Sequence, residues 1–171
     1  MSRSHRAILP ALTIVAVVVA GPIAASGAAK SSSLCAAATA AELATVVPSL
    51  GVGQPAEVPP SGGLQHSQCE WKQSDGFGKV TLGRLTATTA TTRSQLKYGL
   101  GGAPTAGMTI ERPAPGLGVD SQVMTDKASG ALTVGWVHGS SLVIFEVSAT
   151  LGKRPDKAKT LALAKLIYGR L

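Results

Sequence analysis

Two cysteines, Cys35 and Cys69, constrain the fold of this chain more than any other residues, because the 171 residues include no others. An even cysteine count in a chain that leaves the cytoplasm indicates a disulfide. Closing a loop of about 35 residues would stabilise the domain by roughly 3 to 4 kcal/mol in the chain-entropy model. The alternative is a metal site that uses His66 with Cys69, but a closed site needs about four ligands. No second ligand pair stands elsewhere, so we predict a disulfide, no metal and no cofactor.

The N-terminus has the pattern of a secretory signal peptide. Arg3 and Arg6 precede a mostly apolar run over residues 11–20, and small residues fill positions 24–29. These small side chains predict cleavage after residue 28 or 29, and hence a secreted or cell-envelope protein. An uncleaved anchor is the alternative, since residues 7–25 approach the roughly 20 apolar residues that span a bilayer. Leu34 before Cys35 departs from a lipobox, which argues against a lipoprotein.

Composition and length predict one compact domain after the signal. Apolar residues make up 44% of the chain and charged residues 15%, which is too apolar for general disorder. The length allows one domain with a real core. We therefore divide the chain into a signal peptide over 1–28, a tether over 29–34 and a single disulfide-stapled domain over 35–171.

Local patterns predict an α+β fold: an antiparallel sheet of about five strands, with an N-terminal and a C-terminal helix packed on it. Thr39 and Glu42 form a capping box for a helix that continues to about Val47. Alternating or apolar runs indicate the strands, and Gly83 indicates a bulge. The run over 142–149 is apolar on both faces, which is typical of a central strand. The predicted strands cover 68–73, 79–85, 121–125, 131–137 and 142–149. A short helix is predicted over 93–98 and a terminal helix after Pro155. Two segments lack a regular pattern, a Gly/Pro loop over 51–63 and an irregular stretch over 99–119.

The positive charge lies at the C-terminal end of the sequence. Residues 30–152 carry eight basic and eight acidic side chains, whereas residues 153–171 carry six basic ones against Asp156 alone, a net charge of +5. An apolar stripe at helical spacing predicts that this segment packs on the sheet. Its cations are then either a solvated helix face or a surface for anionic partners such as envelope polymers or lipid headgroups. The candidate residues for that surface are Lys153, Arg154, Lys159, Lys165 and Arg170.

Other binding and catalytic classes have weaker signals. The six aromatic residues are not interleaved with basic stretches, which argues against nucleic-acid binding. The segment Gly76-Phe77-Gly78-Lys79 resembles a phosphate loop, but it joins two predicted strands instead of opening a helix. A small hydrolase would have to use His66 or His138 as its base. His138 falls in a predicted turn and His66 has Glu70 nearby in sequence, so this alternative stays open while no catalytic residue is assigned.

Several sequence features follow one another in an order that resembles the small exported domains of unknown function found in actinobacteria. They are Cys35 before a small-residue helix, Cys69-Glu70-Trp71 opening a strand, Gly116-Leu117-Gly118 ahead of another strand, and a final apolar hairpin with a terminal helix. The resemblance covers roughly residues 34 to 171. It implies a non-catalytic binding or accessory domain of the cell envelope, and it carries over no active site. The partner would be an envelope protein or an anionic envelope component, with peripheral membrane contact as one form of the latter.

Overall fold

The structure is a computed structural model that describes residues 34–90, 94–96, 100, 106–148 and 153–171. The predicted signal peptide and most of the predicted tether lie outside these residues. So does half of the short helix predicted over 93–98, of which residues 94–96 are helical.

A single antiparallel sheet of seven strands forms the body of the described structure. Two meanders make up this sheet: the first three strands pair in sequence order, the last four pair in sequence order, and the third strand pairs with the seventh. The spatial order is β1-β2-β3-β7-β6-β5-β4. The strands are β1 Gln54–Ser61, β2 Leu64–Lys72, β3 Lys79–Ala87, β4 Met108–Glu111, β5 Ser121–Asp126, β6 Leu132–His138 and β7 Ser141–Val147.

The prediction of about five strands is wrong, because the two edge strands lie in segments that the sequence presented as loops. Strand β1 occupies the Gly/Pro stretch 51–63, and β4 lies within the irregular stretch 99–119. Each pairs with one neighbour only. An edge strand forms backbone hydrogen bonds with a neighbour on one side only, and proline has no N–H to donate. Strand β1 therefore tolerates prolines that would interrupt a central strand.

The two strands on either side of the predicted turn at residues 74–76 form as expected, but without the predicted bulge. The pairing of β2 with β3 runs without a shift from Leu64 opposite Ala87 to Lys72 opposite Lys79. Gly83 stands opposite Gln68 in this regular ladder. A Cβ atom at Gly83 would lie 3.5 Å from His66 Nε2. That distance is an ordinary van der Waals contact, so Gly83 lies beside the imidazole within a regular ladder.

Strand β7 is the central strand, as its apolar residues predicted. It is the fourth of seven strands, and it pairs with β6 across a two-residue turn and with β3 on its other side. Val143, Phe145 and Val147 are buried on one face of the sheet. Leu142 and Ile144 point to the opposite face, where they join a smaller apolar cluster with Leu96 and Leu100.

Two helices, α1 over Ala40–Leu43 and α2 over Lys157–Tyr168, accompany the sheet. The predicted capping box is present: Glu42 N donates to Thr39 Oγ1 at 3.3 Å, and Thr39 N donates to Glu42 Oε2 at 2.8 Å. The helix proper stops at Leu43, and hydrogen-bonded turns continue to Val47. Four residues of the predicted apolar stripe are buried on α2, namely Thr160, Leu163, Ala164 and Ile167, and the fifth, Leu171 after the helix, is partly buried against the core.

The predicted disulfide is present between Cys35 and Cys69, with Cα atoms 5.3 Å apart. Cys69 and Trp71 are buried on the face of β2 that belongs to the main core. Gly53 packs directly against both, since a Cβ atom there would lie 2.9 Å from Cys69 Sγ and 2.8 Å from Trp71 Cε2. The start of β1 therefore seals the bridge.

Because Gly53 leaves no room for a methyl group, we expect Gly53→Ala to lower the free energy of unfolding by about 1 to 3 kcal/mol through overpacking. Urea unfolding would measure this change. Gly169→Ala is the matched control, because its nearest atoms lie 3.7 Å away and its φ is −72°. A Gly53→Ala protein as stable as the control would contradict the close approach.

The packing of α2 can be tested with two neighbouring residues of the same helix. Ile167 is 0% exposed and Leu166 is 49% exposed. We expect Ile167→Ala to cost about 2 to 4 kcal/mol, because it removes buried contacts and leaves a cavity. Leu166→Ala should cost less than about 1 kcal/mol. Similar losses for both variants in urea unfolding would show that α2 does not pack as described.

Candidate functional site: the basic cleft beside the terminal helix

The five cations predicted to form one anionic-partner surface fall into three different environments. Arg170, just after α2, forms a two-point ion pair with Glu42: Nη1 to Oε2 is 2.8 Å and Nη2 to Oε1 is 2.6 Å. Arg170 Nη1 also donates to the carbonyl oxygen of Ala37 at 3.0 Å. These bonds tie the end of the chain to α1, so Arg170 is committed to the fold.

Lys165 is exposed and lies over the loop that precedes β5. A Cβ atom at Gly116, whose φ is +78°, would lie 3.0 Å from Lys165 Nζ. Lys157, which the predicted surface did not include, pairs with Glu111 at the end of β4. These two lysines therefore lie beside the loop and edge strand, away from the other cations of the segment.

Lys153, Arg154 and Lys159 line one cleft of about 340 Å³. Its opposite wall is the turn after α1, over residues 44–48, and Ser148 at the end of β7 also lines it. We call this the basic cleft, and its lining consists of residues 44–48, Ser148, residues 153–156 and Lys159. The N-terminal and C-terminal parts of the domain thus each supply one wall.

Local structure at the start of α2 orients these cations. Asp156 is the N-cap residue, and its carboxylate accepts from Ala158 N at 2.9 Å and Lys159 N at 3.1 Å. Pro155, which suits the first turn of a helix by sequence, therefore lies just before the helix. The one carboxylate among the described lining residues of the cleft is therefore held by the helix backbone. Arg154 donates from Nη2 to the carbonyl oxygen of Lys127 at 3.3 Å, and its side chain lies over Gly130.

The cleft retains positive charge that other groups do not neutralise. Within the described ranges, Lys153, Arg154 and Lys159 form no ion pair. Lysine offers a mobile point charge, whereas the planar guanidinium of arginine can bind a phosphate or carboxylate through two parallel hydrogen bonds. This arrangement can hold an anionic group, and the cleft volume lies at the lower end of the range for small-molecule sites.

The two histidines of the hydrolase alternative lie far apart in the sheet. His66 is on β2 beside Gly83, and burial lowers the pKa of its imidazole below the ordinary 6.5. His138 ends β6 and packs edge to face on Tyr168, with ring centres 5.5 Å apart. Neither histidine hydrogen-bonds a carboxylate in the part of the chain that the structure describes. The same residues hold no group of three or more side chains arranged for a metal ion.

Sequence reasoning located the cations of the basic cleft but missed the wall that faces them. Residues 44–48 were interpreted only as the end of a helix, and the long-range partner of Arg170 was not foreseen. No local pattern could have revealed either, because Glu42 and Arg170 are 128 positions apart. The N-cap at Asp156 was readable from its position before the apolar stripe.

No protein-family model, curated protein or solved structure matches this chain. The resemblance to small exported actinobacterial domains therefore stays a prediction. Across the described residues, no helix has the length and apolar character to cross a membrane.

The ion pair between Glu42 and Arg170 should make stability depend on pH in the acidic range. The hydrogen bonds from Arg170, followed by the backbone hydrogen bond from Thr39, lower the pKa of Glu42 from 4.5 to about 2. Because the folded pKa lies below the unfolded one, the stabilisation is complete above about pH 4.5 and is lost as the pH falls toward 2.

We expect Arg170→Gln to lower the free energy of unfolding slightly but measurably at about pH 6, since the pair is partly exposed to water. The difference from the parent protein should shrink as the pH falls toward about 2, because Glu42 is then partly protonated in both proteins. Lys165→Gln is the control in the last turn of α2. A loss for Arg170→Gln that stays constant down to that pH would contradict the role given to the pair.

Proposed function

We propose that this protein is a non-catalytic binding domain outside the cytoplasm that holds an anionic partner in the basic cleft. The signal-like N-terminus supports the location. The Cys35–Cys69 bridge and the lack of a membrane-spanning helix among the described residues are compatible with an extracytoplasmic protein. The observation that carries the binding function is that Lys153, Arg154 and Lys159 line one cleft without an ion pair.

The alternative of a uniformly solvated helix face accounts less well for how the charges are arranged. Two other cations of the segment, Lys157 and Arg170, pair with Glu111 and Glu42 from the rest of the domain. If the excess charge served only solubility, the unpaired cations would not need to surround a concave site. The grouping of these unpaired cations in the cleft supports the recognition of a negatively charged partner, since neighbouring positive charges make the local electrostatic potential more positive.

The alternative of a small secreted hydrolase using His66 or His138 has weaker support. A triad needs a base that is oriented by a third group and lies within hydrogen-bond reach of a nucleophile. His66 lies in a partly apolar setting on the second face of the sheet, and His138 packs on an aromatic ring. These surroundings favour structural roles for both histidines.

Removing two charges from the basic cleft should weaken anion binding, whereas removing two charges elsewhere on the same segment should not. We expect the Lys153→Gln, Lys159→Gln double variant to bind inorganic polyphosphate roughly thirtyfold more weakly, because each close charge contributes about 1 kcal/mol in water and about 1.4 kcal/mol is a tenfold change in affinity. The Lys157→Gln, Lys165→Gln double variant is matched in charge and in segment. Isothermal titration calorimetry would measure both.

Salt provides the second arm of this experiment. Binding of the parent protein should fall as salt rises from about 0.05 to 0.5 M, where the screening length shrinks to a few Å. Urea unfolding of both double variants should give nearly unchanged stability, because exposed charges contribute little to folding. Equal affinities for the two double variants, or no binding of polyphosphate by the parent protein, would overturn the proposal.

A further inference from the structure

A second feature stands at the same end of the sheet as the basic cleft: the turn that joins β2 to β3 holds an exposed aromatic ring at its tip. Gln73 N donates to the carbonyl oxygen of Gly78 at 2.8 Å and closes this turn. Asp75 Oδ1 accepts from Phe77 N at 3.0 Å. The turn is therefore held by its own hydrogen bonds, while Phe77 remains 56% exposed.

Val52, just before β1, adds a second exposed apolar side chain at this end. It is 83% exposed, and its neighbour Gly51 donates to the carbonyl oxygen of Lys72 at 2.9 Å. Phe77 and Val52 thus flank the end of β2. We call these two residues the apolar tip. Among the described residues, the other large exposed apolar side chains are Val119, in the loop before β5, and Leu166, on α2.

Hydrogen bonds connect the two ends of the β2–β3 turn, which carries Phe77, to two lining residues of the basic cleft. Gln73 Nε2, at the base of the turn, donates to the carbonyl oxygen of Pro48 at 2.6 Å. Ser148 N donates to the carbonyl oxygen of Lys79, the first residue of β3, at 2.9 Å. Pro48 and Ser148 both line the cleft. The tip and the cleft are therefore adjacent parts of one end of the domain.

The charged groups nearest to the apolar tip balance one another, and the unpaired cations lie in the neighbouring basic cleft. Glu70 accepts from Lys72 at 2.7 Å and lies 3.8 Å from Lys79. Asp75 accepts a hydrogen bond from Phe77 N and keeps its negative charge, so the two lysines and two carboxylates beside the tip carry no net charge. Lys153 and Lys159 of the neighbouring cleft have no carboxylate partner in the described ranges.

An apolar side chain next to unpaired cations has the composition of a surface that lies on an anionic bilayer. The ring enters the boundary between headgroups and acyl chains, and the cations meet the negative surface potential. A dissolved polyanion needs the cations alone, so the exposed ring favours a lipid surface over an envelope polymer. A tightly hydrogen-bonded turn also holds the ring outward at little further ordering cost.

We infer that this end of the protein docks on anionic lipid bilayers, with Phe77 and Val52 entering the interface while Lys153, Arg154 and Lys159 contact the headgroups. The electrostatic half of this inference rests on the proposed function. The insertion of the apolar tip into the bilayer does not rest on the proposed function. It can therefore be measured directly and separately.

Tryptophan fluorescence of the exported protein can report insertion. The native indoles of Trp71 and Trp136 are 3% and 0% exposed, so they should be insensitive to vesicles. We expect F77W to shift its emission to shorter wavelength, and to be quenched by brominated lipid, on vesicles of phosphatidylcholine with about 30% phosphatidylglycerol. V119W is the control, because Val119 is 88% exposed at a distant loop. The absence of a shift for F77W, or an equal shift for V119W, would overturn the inference.

Vesicle sedimentation gives a measure without an added indole. We expect the Val52→Ser, Phe77→Ser double variant to bind the same vesicles about tenfold more weakly, because apolar area no longer leaves water. The Val119→Ser, Leu166→Ser double variant removes comparable exposed side chains and should bind like the parent protein. Equal loss in both double variants, or none in either, would contradict the docking surface.

Polyphosphate separates this inference from the proposed function. It should bind the basic cleft without shifting the F77W emission, and a shift with polyphosphate alone would contradict insertion into lipid. If F77W responds to vesicles while the cleft variants bind polyphosphate equally, the proposed function fails and the insertion of the tip stands. If the cleft variants differ while F77W gives no response, anion binding stands and bilayer docking fails.

Discussion

The antiparallel pairing of β3 with β7 is the contact on which the rest of the structure depends. Each meander can form through local hairpins, but each alone exposes a row of unpaired backbone groups and an apolar face. Their pairing sets Leu82 opposite Phe145, both buried, and joins two segments far apart in the chain. Since β7 is apolar on both faces, it is stable only at the centre of a sheet that is covered on both sides. The same pairing brings Ser148 to Lys79, and so brings the basic cleft to the tip of the β2–β3 turn.

The two ends of the domain cover the main face of this sheet and hold each other in place. The N-terminal part is fixed to β2 by the Cys35–Cys69 bridge, and the C-terminal part packs its stripe on the core through Leu163 and Ile167. Arg170 then joins the two parts through Glu42. The basic cleft lies where these parts meet, so its shape depends on the packing of α2 as well as on the disulfide. A change that loosens α2 would open the cleft without altering any of its cations.

The sequence predicted those features that depend on residues close together in the chain, and it missed those that depend on contacts with distant residues. The capping box at Thr39 and Glu42, the buried stripe of α2, the hairpin of β6 and β7 and the pairing of the only two cysteines were all confirmed, because each rests on short-range periodicity or on a simple count. The edge strand β1 was missed because prolines and polar residues satisfy an edge without the alternation expected of a half-buried strand. Gly83 was misinterpreted as a bulge because a glycine can also stand in a regular ladder, and only its pairing with Gln68 on the neighbouring strand distinguishes the two.

The charge of the terminal segment shows most clearly what only the fold can supply. The sequence establishes a net excess over residues 153–171, but it does not say which cations are balanced by the neutral remainder. In the structure Glu111 pairs with Lys157 and Glu42 pairs with Arg170. The cations of the segment that form no ion pair in the described residues therefore lie chiefly in the basic cleft. Exposed apolar side chains beside that charge gain from a partner only if it is both anionic and partly apolar. A bilayer surface has both properties within a few Å, whereas a dissolved polyanion has only the first.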